Sequence, residues 1–86
     1  MKYRTRFEPP APADLRAIDR KVALTMLRKL AELETDPYAF DTTEMVYKPG
    51  VRRLRVGNYR VWYTIEHDEL VVLVIKVGHR RDIYDR

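Results

Sequence analysis

Arg53-Leu54-Arg55-Val56-Gly57-Asn58-Tyr59-Arg60-Val61-Trp62 reads as two strands joined by a two-residue turn. Gly57-Asn58 is an accepted turn pair, and Gly57 can take the positive φ that the first central position of a type II′ turn requires. Such a short loop sets the register. Val56 then faces Tyr59, Arg55 faces Arg60, Leu54 faces Val61 and Arg53 faces Trp62. Side chains alternate faces along a strand. Leu54, Val56, Tyr59 and Val61 therefore share one face, suited to a core. Arg53, Arg55, Arg60 and Trp62 share the other. Like charges opposed across a ladder, as Arg55 and Arg60 would be, destabilise a sheet. A sheet that gathers them anyway is suited to bind an anion. The alternative is an ordinary solvated strand face with basic residues on its polar side.

The chain has 86 residues, enough for one domain and one small core, so residues 1–86 are read as a single domain. Hydrophobic residues make up 45% and charged residues 35%, a globular rather than disordered composition. Cysteine is absent, which removes disulfides, thiolate metal sites and a cysteine nucleophile together. The formal net charge of +4 favours polyanionic or acidic partners. No apolar run approaches a membrane span, and the N-terminal MKYRTRFEPP lacks the apolar block of a signal peptide. These features lead us to expect a cytoplasmic protein with no membrane partner.

Working outward from the hairpin, Lys2 to Phe7 has strand composition, and Pro9, Pro10 and Pro12 end it. Leu15 and Ile18 belong to a first helical segment. Asp19 can cap a second helix, in which Val22, Met26, Leu30 and Leu33 form a stripe thickened by Ala23, Leu27 and Ala31. Asp36-Pro37 ends it. Arg16, Arg20, Lys21, Arg28 and Lys29 lie off the stripe and read as a solvated surface. Tyr38 to Gly50 is a connector with a candidate short strand at Met45 to Tyr47. Glu66 to Glu69 is a polar turn in which His67 reads as solvated. Leu70 to Val77 is nearly continuous and β-branched, the pattern of a central strand covered on both sides. The expected architecture is α+β: two N-terminal helices on one face of a mainly antiparallel four-stranded sheet, the other face open and basic.

The chemistry is narrowed by what is missing. There is no HxxxH pair, no CxxC, no closely spaced acidic cluster and no phosphate-cradling glycine loop, so neither a metal nor any other cofactor is expected. A basic surface remains, with His79, Arg80, Arg81 and Tyr84 at its rim. That inventory suits a phosphodiester, and RNA supplies its own nucleophile in the 2′-OH.

The stretches GNYRVWY and VGHRRDIY, after a strand and two helices, resemble the RelE/ParE toxin superfamily of toxin–antitoxin modules, over nearly the whole chain. For the RelE-like branch the resemblance implies a basic concave sheet that cuts mRNA, usually at the ribosome, as a metal-independent endoribonuclease. It also implies a cognate antitoxin that forms a complex with the toxin. By resemblance the functional roles fall on Arg53, Arg55, Arg60, Arg80 and Tyr84; Arg55, Arg60, Arg80 and Tyr84 are read as catalytic, and Arg53 as RNA-binding together with Trp62 of the hairpin face and Arg81 of the C-terminal basic cluster. The chain departs from the pattern by carrying arginines where lysines precede the turn. Arginine does not lose its proton, so Arg55 can stabilise charge but is a poor base. His79 offers a titratable replacement, or is a strand-end residue bonded to backbone. Tyr84 either stacks on a base or closes the core edge. Tyr59 and Tyr63 read as packing residues. Two other functions stay open on the same scaffold: a ParE-type gyrase inhibitor, and a non-catalytic RNA- or protein-binding module.

Overall fold

The computed structural model describes residues 2–39 and 41–83. Seven elements run in the order β1 (Arg4–Phe7), α1 (Pro10–Arg16), α2 (Arg20–Thr35), β2 (Thr42–Glu44), β3 (Arg52–Val56), β4 (Tyr59–Glu66) and β5 (Val71–His79). One sheet contains all five strands in the order β1-β5-β4-β3-β2. The class is α+β, as expected, but the sheet has five strands rather than four. β1 pairs parallel with β5, and the remaining ladders are antiparallel. The added strand is Thr42–Glu44, with Thr42 opposite Leu54 and Thr43 opposite Arg53. The connector strand therefore lies upstream of the expected Met45 to Tyr47. Two β-branched threonines suit the pleat, whereas Met45 turns inward, 3% exposed, and leads a loop.

Local chemistry sets the helix boundaries. Pro10 opens α1, where its missing N–H is no loss. Asp19 caps α2 by accepting from the Lys21 N–H at 3.1 Å. α2 ends at Thr35, ahead of the extended Asp36 and Pro37. Met26, Leu30 and Leu33 enter the core with Ala11, Leu54, Val56, Val61, Tyr63, Val72, Val74 and Val77, so both helices lie on one face of the sheet. The stripe is narrower than its sequence pattern: Leu27 is 42% exposed and Ala31 also faces solvent. α2 rests on the sheet along a single line and leaves that flank uncovered.

The hairpin has the register required by its turn: Val56↔Tyr59, Arg55↔Arg60, Leu54↔Val61 and Arg53↔Trp62. Gly57 has φ +58 and Asn58 is not in the left-handed region, the signature of a type II′ turn. A bulge then alters the far side of β4. Trp62 pairs with Lys76 but Tyr63 pairs with Val74, so Ile75 is an extra residue in β5. Val74 and Val77 both reach the helix-side core as a result, while Lys76 is turned out opposite Trp62.

Candidate nucleic-acid interface

The sheet face away from the helices carries the arginines. Two rows cross it. Thr43, Arg53, Trp62 and Lys76 form one, and Arg55, Arg60 and Gly78 form the next toward the turn. Arg55 is exposed, and Arg53 and Arg60 are half-buried. The Arg60 guanidinium donates to the Gly57 and Tyr59 carbonyls, both at 3.0 Å, which holds it at the turn. Arg53 and Arg55 line a shallow cavity of about 240 Å³ with Asp41 and Thr43. The Asp41 carboxylate is taken by Lys29 at 2.6 Å, and this partner holds the Lys29 ammonium above the usual lysine range.

This face is not fully open. A second small core sits on it, formed by Met45, Trp62 and Ile83 with Val51 and Ile75 against them. Two segments roof it: the loop between β2 and β3, and the turn after β5. Trp62 is only 9% exposed. The sequence reading of Trp62 as an RNA-contacting ring is therefore corrected, because its indole anchors the roof. Its Nε1–H is buried and lacks a hydrogen-bond partner. The Lys48 ammonium sits 5.4 Å from the ring centroid, a cation–π contact. Lys48 and Lys76 thus join the arginine face. The sequence reading passed over both, since the loop fold brings in the first and the bulge the second.

The turn after β5 positions Arg80 and Arg81. The Arg80 N–H donates to the Asn58 carbonyl at 2.7 Å, which sets Arg80 beside the hairpin turn. Asp82 and Ile83 N–H groups both donate to the His79 carbonyl, at 2.8 and 3.0 Å. Both arginines are exposed. His79 lies elsewhere. It pairs with Tyr59, on the helix side of the sheet, and the two rings meet edge to face with centroids 5.2 Å apart. Its Nδ1 accepts from the Arg81 N–H at 3.2 Å. That bond uses Nδ1 as an acceptor and ties the ring to the turn that carries Arg81. The structure brings Arg53, Arg55, Arg60 and the Arg80-Arg81 turn together around one end of the sheet and places His79 on the opposite face. Tyr84 lies outside the described residues.

His67 is an exposed turn residue, as expected, but its ring also has two partners. Tyr3 Oη meets its Nδ1 at 2.9 Å and Tyr38 Oη meets its Nε2 at 3.0 Å. The imidazole thereby ties the start of β1 and the segment after α2 to the β4–β5 turn. Nothing local in Glu66 to Glu69 signals this, because both partners are far away in sequence. Tyr63 and Tyr59 pack as expected, Tyr63 fully buried with its hydroxyl donating to the Pro37 carbonyl at 2.6 Å.

The fold and site together define a small α+β domain with a helical pair on one sheet face and clustered guanidinium groups on the other. The ParE toxin family of type II toxin–antitoxin systems matches residues 5–84, and the chain belongs to that family. It is a type II toxin–antitoxin toxin of the RelE/ParE superfamily. Toxin RelG of Mycobacterium tuberculosis is 28% identical over 87 residues, covering 100% of both chains. The toxin in the RelBE toxin–antitoxin complex of E. coli superposes with a TM-score of 0.78 at 26% identity, over 90% of this chain and 95% of that one. An archaeal RelE–RelB complex from Pyrococcus horikoshii gives a TM-score of 0.78 at 24% identity, over 93% and 97% of the two chains, and shares the fold. Among the described residues no helix is long and apolar enough to cross a membrane.

Proposed function

We propose that this toxin is a metal-independent endoribonuclease that cleaves mRNA at the ribosome in the cytoplasm, and that a cognate antitoxin neutralises it. The observation that carries the reading is the direct opposition of Arg55 and Arg60 across a ladder, with Arg53 one row away and Arg80 bonded by its backbone to the hairpin turn. A phosphodiester backbone is the ligand complementary to such a run of guanidinium groups. The relatives solved as toxin–antitoxin complexes support the partner.

In the proposed reaction the ribose 2′-oxygen forms a bond to phosphorus and the bond to the 5′-oxygen breaks. The products are a 2′,3′-cyclic phosphate and a 5′-hydroxyl. The 2′-OH proton leaves the nucleophile, and a proton is delivered to the leaving oxygen. Arg55, Arg60 and Arg80 offset the charge that grows on the phosphorane. Arg53 and Arg81 hold the backbone on either side. Among the described cations of this face only Lys48 and Lys76 can exchange a proton, since arginine stays charged. Losing one transition-state cation costs roughly 2.7–4 kcal/mol, so Arg60→Ala or Arg80→Ala should slow cleavage about a hundred- to thousandfold. The test is induction of the toxin with 5′-end mapping of cellular mRNA. Cuts inside translated codons that vanish in both variants support the reading, and intact mRNA in arrested cells refutes it.

The match to the ParE family favours a second reading, inhibition of DNA gyrase by the same fold. Growth arrest with DNA damage, intact mRNA and inhibited supercoiling in vitro would establish it in place of the first.

A further inference from the structure

We infer that Tyr47, carried on the β2–β3 loop, is a base-stacking residue that positions single-stranded RNA beside the arginine face, with Lys48 as its phosphate contact. The inference rests on the endoribonuclease reading and adds a residue that determines which nucleotides are presented. Val46 and Tyr47 are the most exposed large hydrophobic residues described, at 80% and 75%. They stand on a loop held at both ends. Met45 N–H donates to the Val51 carbonyl at 2.9 Å, Val51 N–H to the Lys48 carbonyl at 3.0 Å, and Lys48 N–H to the Met45 carbonyl at 3.4 Å. Gly50 permits the return at φ +84. Met45 is buried under the loop against Trp62, and Lys48 caps the indole from above. Tyr47 is thus an exposed aromatic ring on an ordered support, next in sequence to an ammonium already seated on the arginine face. An aromatic ring with few rotamers loses little entropy when it makes a contact.

Charge selects the occupant. Arg53 and Lys76 flank Trp62, Arg55 and Arg60 form the adjoining row, and Lys48 lies over the centre. A polyanion is the complementary ligand, and a cationic track with an aromatic platform is how single strands are held. The loop rejoins the sheet next to Val51, four residues along the chain from Arg55. At about 3.3 Å per residue, roughly 13 Å of strand separates the end of the loop from Arg55.

The test is anisotropy of a fluorescent oligoribonucleotide with every 2′-OH methylated, so that binding is read without cleavage. Tyr47→Ala should weaken binding about five- to hundredfold, the range of one lost base–aromatic stack. Tyr47→Phe, which keeps the ring, should stay within about twofold of the parent. Lys48→Ala should lower the salt slope by about one. Thermal melts should not move for the Tyr47 variants, because the ring is exposed. Unchanged RNA affinity in Tyr47→Ala overturns the inference. So does loss of antitoxin binding with RNA affinity intact, which would make the loop a protein contact. Full cleavage by Arg60→Ala and Arg80→Ala, or no RNA binding by the parent, overturns the endoribonuclease reading instead and takes the inference with it.

Discussion

Ile83→Ala should release the segment that carries Arg80 and Arg81 while leaving the main core folded. Ile83 is 1% exposed and packs on Trp62 and Met45, away from the helix-side core. It also crosses Gly78, where a Cβ would meet Ile83 Cβ at 3.6 Å. Truncation to alanine removes three carbon groups at about 0.8 kcal/mol each, or roughly 2.4 kcal/mol of docking energy. That corresponds to an approximately fiftyfold shift toward the undocked turn. What remains are the Arg80 N–H bond to the Asn58 carbonyl, the two N–H bonds to the His79 carbonyl and the Arg81 N–H bond to its ring. Native-state hydrogen exchange should therefore show the Asp82 and Ile83 amides exchanging about fifty times faster, with Val61 and Val72 unchanged. Trp62 is the one tryptophan in the chain, so its emission reports uncovering of the indole directly. Cleavage should fall because the Arg80-Arg81 segment is then held beside the hairpin by the single Arg80–Asn58 backbone bond and no longer by side-chain packing. Unchanged protection at Asp82 and Ile83 would refute the argument. Equal loss of protection at Val72 would also refute it, by showing that the turn and the main core unfold as one unit.

Gly57→Ala should cost about 1–2 kcal/mol in a denaturant melt, since φ +58 strains any L side chain. Gly78→Ala, with ordinary contacts and no left-handed backbone, should be neutral or stabilising by up to about 1 kcal/mol in the same assay. Tyr63→Phe removes the buried donor to the Pro37 carbonyl and the acceptor for Arg52 Nε, and should cost roughly 1–3 kcal/mol by chemical denaturation. Because Asp41 raises the Lys29 pKa in the folded state, this pair's contribution is fully present below the ordinary lysine range and is lost as pH rises through the folded value. Asp41→Asn should abolish that alkaline loss in melts followed across it, at a cost of about 0.2–1 kcal/mol at neutral pH for so exposed a pair.

The basic cluster was legible because it is local. Arg53, Arg55 and Arg60 lie within a few residues of one turn, and turn geometry dictates their common face. His79 was not legible in the same way. Its distance from the turn along β5 says nothing about which face it occupies until the pairing Tyr59↔His79 is known. Trp62 was assigned to the correct face, yet its exposure depends on Met45 and Ile83, which arrive from 17 residues upstream and 21 residues downstream.

From the sequence alone follow the hairpin and its register, the Asp19 cap, the end of α2 at Asp36-Pro37, the buried β5 and the arginine face. Each depends on neighbours along the chain: a glycine that accepts positive φ, a carboxylate beside free N–H groups, a period of two or of about 3.6. Tertiary structure alone decided the fifth strand, the bulge at Ile75, the roof over Trp62, the Tyr3–His67–Tyr38 bridge and the side of the sheet on which His79 stands. Those features join segments distant in sequence, and their free energy comes from surfaces that exist only once the chain has closed on itself. Lys76 shows the difference most directly. Strict alternation from Val74 would turn it toward the helices, and one inserted residue sends it to the face that bears the arginines.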